Sequence, residues 1–93
     1  MLRKFVRVTP VDYAAWRAAH GSQFDGIKAA GGIAETILQD PEDPGAWIIE
    51  LELDDAANLA RILSFFDGHE VPPPAGMSPL VASALVQVES NTF

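Results

Sequence analysis

The feature that most constrains this chain is a turn at residues 40–45, Asp-Pro-Glu-Asp-Pro-Gly, which separates two segments of strand-like sequence. Residues 33–39 have the composition of a β-strand, and residues 46–53 alternate apolar and acidic side chains. Two prolines and a glycine cannot continue a helix or a central strand, so the chain must reverse direction there. We therefore predict a β-hairpin whose strands are residues 33–39 and 46–53.

The segments on either side of this hairpin each supply one strand and one helix. The first helix has apolar side chains at spacings of three and four, and Gly31 and Gly32 end it. The order β-α-β-β-α-β predicts one α+β domain over residues 1–93, with a ferredoxin-like antiparallel sheet. The predicted elements are strands at residues 2–8, 33–39, 46–53 and 83–90, helices at residues 11–30 and 54–67, and a proline-rich loop at residues 69–78.

Alternation within the strands assigns side chains to the two faces of the predicted sheet. The face covered by the helices should receive Val6, Val8, Ile49, Leu51, Val86 and Val88. The opposite face should carry Arg3, Phe5, Arg7, Ile48, Glu50, Glu52, Leu85, Gln87 and Glu89.

The uncovered face predicts both ion pairs and a dimer. In the split βαβ order the first strand lies between the third and the last, which places Arg3 and Arg7 beside Glu50, Glu52 and Glu89. We expect Arg7 within ion-pair distance of Glu50 or Glu52. A chain of 93 residues has a small core, so we expect a homodimer that buries the face bearing Phe5, Ile48 and Leu85. The alternative is a half-solvated face, which is ordinary for antiparallel sheets.

Composition narrows the classes of partner. The formal net charge of −7 disfavours nucleic acids and anionic membrane surfaces, which require a positive surface. No cysteine is present, so disulfides and thiolate chemistry are excluded and zinc lacks its usual sulfur ligands. No apolar run reaches the roughly 18–20 residues of a membrane span. We expect a cytoplasmic protein without a metal site or cofactor.

Several segments together resemble a known superfamily. They are Tyr-Ala-Ala-Trp-Arg at residues 13–17, Ala-Ala-Gly-Gly-Ile at residues 29–33, the turn at residues 40–44 and Glu-Leu-Asp-Asp at residues 52–55. The chain resembles the dimeric α+β barrel superfamily, and within it the antibiotic biosynthesis monooxygenase-like domains. The resemblance implies a homodimer in which two sheets enclose a small-molecule cavity. Members include cofactor-independent oxygenases of phenolic polyketides, polyketide cyclases, isomerases and domains without an assigned activity.

His20 is the best single catalytic candidate in the sequence. It lies four residues after Trp16 and four before Phe24, on an otherwise apolar helical stripe. An imidazole in that setting is suited to act as a general base towards a phenol or an acidic carbon. The structural alternative is a core histidine whose ring nitrogen is satisfied by a backbone carbonyl.

The other candidates form the predicted wall of a cavity. Arg7, with Glu50, is suited to bind a substrate carboxylate or to stabilise an enolate or phenolate, and the alternative is a structural ion-pair cluster. His69 lies in the predicted proline-rich loop, where a plain exposed histidine is the alternative. The remaining predicted substrate-binding residues are Phe5, Ile48 and Trp47.

Two functional hypotheses follow. The first is an oxygenase, cyclase or isomerase that uses His20 as base and Arg7 as cation on an aromatic or polyketide-like substrate. The second is a non-catalytic ligand-binding or structural homodimer. The positions of His20 and Arg7 discriminate between them, because catalysis requires both side chains to face one cavity.

Overall fold

The computed structural model of this chain describes residues 2–41, 43–72 and 86–93, which form an α+β fold with one five-stranded antiparallel sheet and three helices. The helical segments are short, and the helix predicted for residues 54–67 is instead a 3₁₀ turn followed by one helix of five residues. The elements are β1 (Leu2–Val8), α1 (Tyr13–Gly21), α2 (Phe24–Ala29), β2 (Gly32–Gln39), β3 (Trp47–Leu53), the 3₁₀ turn (Ala56–Asn58), α3 (Leu59–Leu63), β4 (His69–Val71) and β5 (Val86–Thr92).

The predicted hairpin is confirmed. Strands β2 and β3 pair in antiparallel fashion, with Ile37 opposite Ile49 near the centre of the ladder. The amide of Ala46 donates to the carbonyl of Asp43 at 2.9 Å and closes the turn. The prolines and glycine of the turn therefore end both strands, as their backbone chemistry requires.

The single helix predicted for residues 11–30 is wrong, because the chain forms two helices with a break at residues 22–23. Asp12 caps α1 by accepting a hydrogen bond from the amide of Ala15 at 3.1 Å. At the other end, Gly21 weakens the helix and the hydroxyl of Ser22 donates to the carbonyl of Ala19 at 2.6 Å. Such local side-chain bonds compete with the helical ladder, so the break falls at this point.

The core lies between the helices and one face of the sheet, as the alternation in β1 and β3 predicted. Val6, Val8, Ile49 and Leu51 are all buried on that face. The helices contribute buried apolar side chains to the same core, and the segment after α3 contributes one aromatic side chain. These additional core residues are Ile27, Ile62 and Phe66.

The strand order β4-β1-β3-β2-β5 differs from the prediction at both edges. The last strand was predicted beside β1, whereas β5 pairs with β2, and residues 69–71, predicted as loop, form β4 beside β1. When β5 is left aside, the remaining order β4-β1-β3-β2 is compatible with a ferredoxin-like arrangement. The rest of the predicted proline-rich loop, residues 73–78, lies outside the described residues.

The predicted orientation of the last strand is also wrong. Val86 and Val88, predicted in the core, are 53% and 44% exposed. Glu89, predicted beside the arginines of β1, lies opposite Ile37 of β2 instead. Side chains of β5 form hydrogen bonds with polar side chains of α1 and β2, and these bonds explain the orientation of the strand. Leu85 lies outside the described residues.

One glycine is required by backbone conformation. Gly31 has φ +103° between α2 and β2, and a Cβ there would lie 2.5 Å from Oδ1 of Asp54. Gly45 in the hairpin turn has open space, since its nearest contact would be 3.8 Å away.

We therefore expect Gly31→Ala to lower the free energy of unfolding by about 1–3 kcal/mol, the usual cost of a strained backbone. The matched substitution Gly45→Ala should change it by less than about 0.5 kcal/mol. Urea unfolding of both variants measures the difference. Equal stability of the two variants would contradict the strain at Gly31.

Candidate functional site

A buried histidine and a buried glutamate meet between α1 and the sheet. Nε2 of His20 lies 2.6 Å from Oε1 of Glu35, and the two residues are 1% and 2% exposed. His20 comes from the last turn of α1, on the stripe that faces the sheet. Glu35 lies two residues before Ile37 on β2, so alternation directs both side chains towards the helices. The sequence analysis identified His20 but missed its partner.

Aromatic rings enclose the imidazole. Trp16 stacks on His20 with ring centroids 4.8 Å apart, Phe24 meets it edge-on at 5.2 Å, and Phe66 lies at 4.8 Å. The indole nitrogen of Trp16 donates to the carbonyl of Phe66 at 3.1 Å, which fixes this ring in turn. The imidazole is therefore held rigidly and shielded from solvent.

The hydrogen bond has a definite direction when Glu35 is ionised. A carboxylate only accepts, so Nε2 of His20 is then the donor. Nδ1 is buried and has no hydrogen-bond partner among the described residues. A buried polar atom without a partner costs free energy, so the enclosed setting opposes any second polar role for the ring.

The pair continues outwards as a polar network that reaches β5. The side-chain amide of Asn91 donates to Oε2 of Glu35 at 2.9 Å and to Oε2 of Glu89 at 3.0 Å. Glu89 in turn accepts two hydrogen bonds from Arg17, at 2.5 and 2.9 Å. This polar network (Arg17, Glu89, Asn91, Glu35 and His20) joins α1, β2 and β5.

Electrostatics in the network follow from these bonds. The hydrogen bond from Arg17 lowers the pKa of Glu89 below its ordinary value, although partial burial opposes the effect, and Asn91 lowers it further. The same bond raises the pKa of Arg17. Burial raises the pKa of Tyr13, and the negative charge of Glu89 adds to that shift. Arg17 and Glu89, at the outer end of the network, therefore form a charged pair near neutral pH.

Trp47 lies on the helical side of the sheet and not on the opposite face. Its ring stacks on Tyr13 at 4.3 Å with an interplanar angle of 20°. It is 8% exposed and belongs to the core cluster. The structure thus separates Trp47 from the other predicted substrate-binding residues.

The opposite side of the sheet carries the remaining candidates, and we call it the open face. Residues paired directly across an antiparallel ladder share a face, so the pairings of β1 define it. Arg3 pairs with Glu52, Phe5 with Glu50 and with Val71, and Arg7 with Ile48 and with His69. The pairings of β3 extend the open face onto β2, which contributes Ala34, Thr36 and Leu38.

The predicted ion pair of Arg7 with Glu50 or Glu52 is wrong. Arg7 lies on the open face as expected, but its Nη2 is 2.7 Å from Oδ2 of Asp43 in the hairpin turn. Its direct neighbour on β3 is Ile48, so the hairpin turn supplies the nearest carboxylate. The pairing predicted for Arg3 is confirmed, because its guanidinium lies 3.3 Å from Glu50 and 3.5 Å from Glu52.

A cleft of about 320 Å³ lies along the β4–β1 edge, close to the open face. Its volume is at the lower end of small-molecule sites, roughly 300–1,000 Å³. His20 is not among its lining residues. They are Arg3, Lys4, Phe5, Glu70, Val71 and Pro72.

The structure therefore divides the predicted site residues between two faces. Five of them share the open face, whereas His20 and Trp47 lie among the helices. Glu35 and Asn91 of the polar network were not predicted from the sequence. For Glu35 the sequence contains one indication, because this acidic residue lies two positions before Ile37 in the predicted strand. Asn91 lies beyond the predicted end of the last strand, and no sequence pattern indicated it. The five residues on the open face are Phe5, Arg7, Ile48, Glu50 and His69.

A scan against protein-family models and searches of curated proteins and of solved structures gave no match to this chain. Over residues 2–41, 43–72 and 86–93, no three His, Cys, Asp or Glu side chains are grouped so that they could hold a metal ion. No helix in the described part of the chain has the length and apolar character to cross a membrane.

Removing one partner of the buried pair should be costly. We expect His20→Leu to lower the free energy of unfolding by about 3–5 kcal/mol, because Glu35 then remains buried without its partner. The double variant His20→Leu/Glu35→Leu should lose less than the sum of the two single variants, by about 0.5–3 kcal/mol. Urea unfolding of all four proteins tests this, and additive losses would contradict it.

The lowered pKa of Glu89 predicts a pH dependence with a definite sign. Because the folded pKa lies below the ordinary value of 4.5, the stabilisation is present above that value and is lost as the pH falls through the folded pKa. The stability difference between the parent and Glu89→Gln should be constant above about pH 5 and should shrink below about pH 4. A difference that does not change on acidification would contradict the pairing with Arg17.

Proposed function

We propose that the chain is a homodimeric small-molecule-binding domain, in which two copies bring their open faces together around a ligand. The observation that carries this proposal is the separation of His20 from Arg7 by the sheet itself. The enzyme hypothesis that uses both residues requires one shared cavity. The arrangement favours the second hypothesis, a binding or structural homodimer.

The composition of the open face supports association. Phe5 and Leu38 are half-buried and place apolar surface near the middle of the sheet, beside Ile48, which is itself only 6% exposed. No described helix covers this face. Apolar surface at the centre of a patch with polar residues around it is typical of interfaces. A small domain also gains stability when a second copy buries such a surface.

The charges of the open face support self-association despite the net charge of −7. Arg3 is paired with Glu50 and Glu52, and Arg7 with Asp43, so the two arginines offset two of the three carboxylates near the apolar centre. A two-fold interface brings the same patch of both copies together, and this partial compensation reduces like-charge repulsion. Most of the acidic surplus lies elsewhere on the surface.

The ligand class follows from the same residues and from the resemblance. The cleft beside Phe5 offers an aromatic ring, an aliphatic wall and nearby guanidinium and carboxylate groups. Such a lining suits a flat, mostly apolar molecule with a few hydrogen-bonding groups. Aromatic or polyketide-like compounds, which the resemblance implies, have this character.

One observation favours catalysis as a second candidate function. His69 is the direct β-ladder neighbour of Arg7, so an imidazole and a guanidinium share the open face. A base and a cation are the parts that a cofactor-independent oxygenase or a cyclase needs to form and hold a substrate anion. His69→Ala should then lower turnover of a phenolic substrate by about 10²–10⁴-fold, and His69→Gln should not restore it.

The dimer is tested by light scattering coupled to size exclusion. We expect the parent to elute with twice the chain mass of 10.0 kDa. Phe5→Glu places a charge in the centre of the proposed interface and should raise the dimer dissociation constant by about 30-fold or more.

The matched control is Val11→Glu, which introduces the same charged side chain at a fully exposed site outside the open face. This variant should remain dimeric. A monomeric parent at micromolar concentration, or equal association of Phe5→Glu and Val11→Glu, would contradict the proposal. Thermal stabilisation by phenolic ligands, lost in Phe5→Glu, tests the ligand part separately.

A further inference from the structure

Strand β5 is attached to the molecule in an unusual way. Within the described residues it is an edge strand, and β2 is the strand with which it pairs. Among the described residues, no fully buried core side chain comes from β5. Its two valines, Val86 and Val88, are exposed instead. Burial of apolar surface therefore contributes little to its docking.

Polar side chains hold β5 in place. Glu89 is bound by Arg17 of α1, Asn91 by Glu35 of β2, and Ser90 lies 3.1 Å from the hydroxyl of Thr36. Bonds of this kind exchange for bonds to water when a strand opens, so their net contribution is small compared with that of core packing. The docking of β5 is consequently weaker than that of the inner strands.

The backbone ladder and the terminal residue complete the attachment. The register between β2 and β5 shifts between Ile37 and Leu38, which interrupts the ladder. Beyond the strand, the ring of Phe93 meets Phe24 edge-on at 5.1 Å, and its amide donates to the carbonyl of Ile33. Among the described residues, the partly buried ring of Phe93 is thus the main apolar anchor of β5.

We propose that β5 is a gate over the His20–Glu35 pair, which opens as a unit while the rest of the sheet remains folded. Opening withdraws Asn91 from Oε2 of Glu35 and releases Arg17 from Glu89. The carboxylate of Glu35 and then the imidazole of His20 become accessible from the groove between α1 and β2. The pair that is buried in the closed molecule is a polar site in the open one. This device is separate from the open face and from the proposed dimer.

Local opening of this kind follows from the uneven stability of protein structures. Elements with few buried apolar contacts open at lower free energy than the core strands. β3 is the opposite extreme, since Trp47, Ile49, Leu51 and Leu53 are all buried. A comparison of β5 with β3 therefore tests the proposed local opening within one molecule.

The first measurement is native-state hydrogen exchange on the complete parent protein. Amides of β5 that bond to β2 should exchange at least about 10-fold faster than amides of the β2–β3 ladder, and their exchange should depend less on urea. Exchange of both sets with the same opening free energy and the same urea dependence would overturn the gate.

The second measurement uses the chain's two histidines, which diethyl pyrocarbonate modifies at an unprotonated ring nitrogen. Glu89→Gln weakens the gate and should accelerate modification of His20 by about 5–30-fold. His69, exposed on β4 and remote from β5, should react at the same rate in both proteins. Asp25→Asn removes one charge from an exposed position of α2 and should leave both rates unchanged.

Two results would overturn the proposal in this second measurement. One is equal reactivity of His20 in the parent and in Glu89→Gln. The other is equal acceleration of His20 and His69, which indicates global destabilisation. If Glu89→Gln does not fold, hydrogen exchange on the parent still decides, because it requires no variant.

Discussion

The hydrogen bond between His20 and Glu35 is the interaction on which the rest of this structure depends. It joins the last turn of α1 to the second strand at 2.6 Å, in a space where neither side chain reaches water. Polar groups taken out of water destabilise a fold unless each finds a partner, so the helix can dock on the sheet only in the position that brings these two together. Asn91 extends the requirement to β5.

The sheet separates two different environments as a result. Its helical side combines an apolar core with one enclosed polar pair, and Trp16, Phe24 and Phe66 shield the imidazole. Its open face combines an apolar centre with ion pairs that remain within reach of solvent. The buried histidine and the face proposed for binding are consistent with one another, because each is on its own side of the sheet. This separation is the basis of the proposed binding function.

The parts of the fold that the sequence predicted are those that local rules determine. The hairpin turn and the burial pattern of β1 and β3 follow from proline chemistry and two-residue alternation, and the structure confirms both. Strand β3 was especially clear because its acidic residues mark the outward face. The break at Ser22 was missed because a helical stripe continues on both sides of it.

The orientation and the position of the last strand could not be predicted from these local rules, because they depend on residues far away in the sequence. The valines of the last strand indicated a core face, but the bonds of Glu89 and Asn91 turn that strand the other way. Which edge of the sheet it joins depends on partners more than 50 residues away in sequence, as between Asn91 and Glu35. The roles of His20 and Arg7 therefore stay predictions, and the sequence did not indicate that the two residues lie on opposite sides of the sheet.

Intermolecular contacts decide whether the molecule acts through the open face of its sheet, as proposed. A sample that mixes isotopically labelled and unlabelled chains allows nuclear Overhauser effects between copies to be observed selectively. We expect intermolecular effects from the ring of Phe5 and the methyl groups of Leu38. Intermolecular effects confined to the helical side, or none at concentrations where the protein is dimeric, would contradict the proposal.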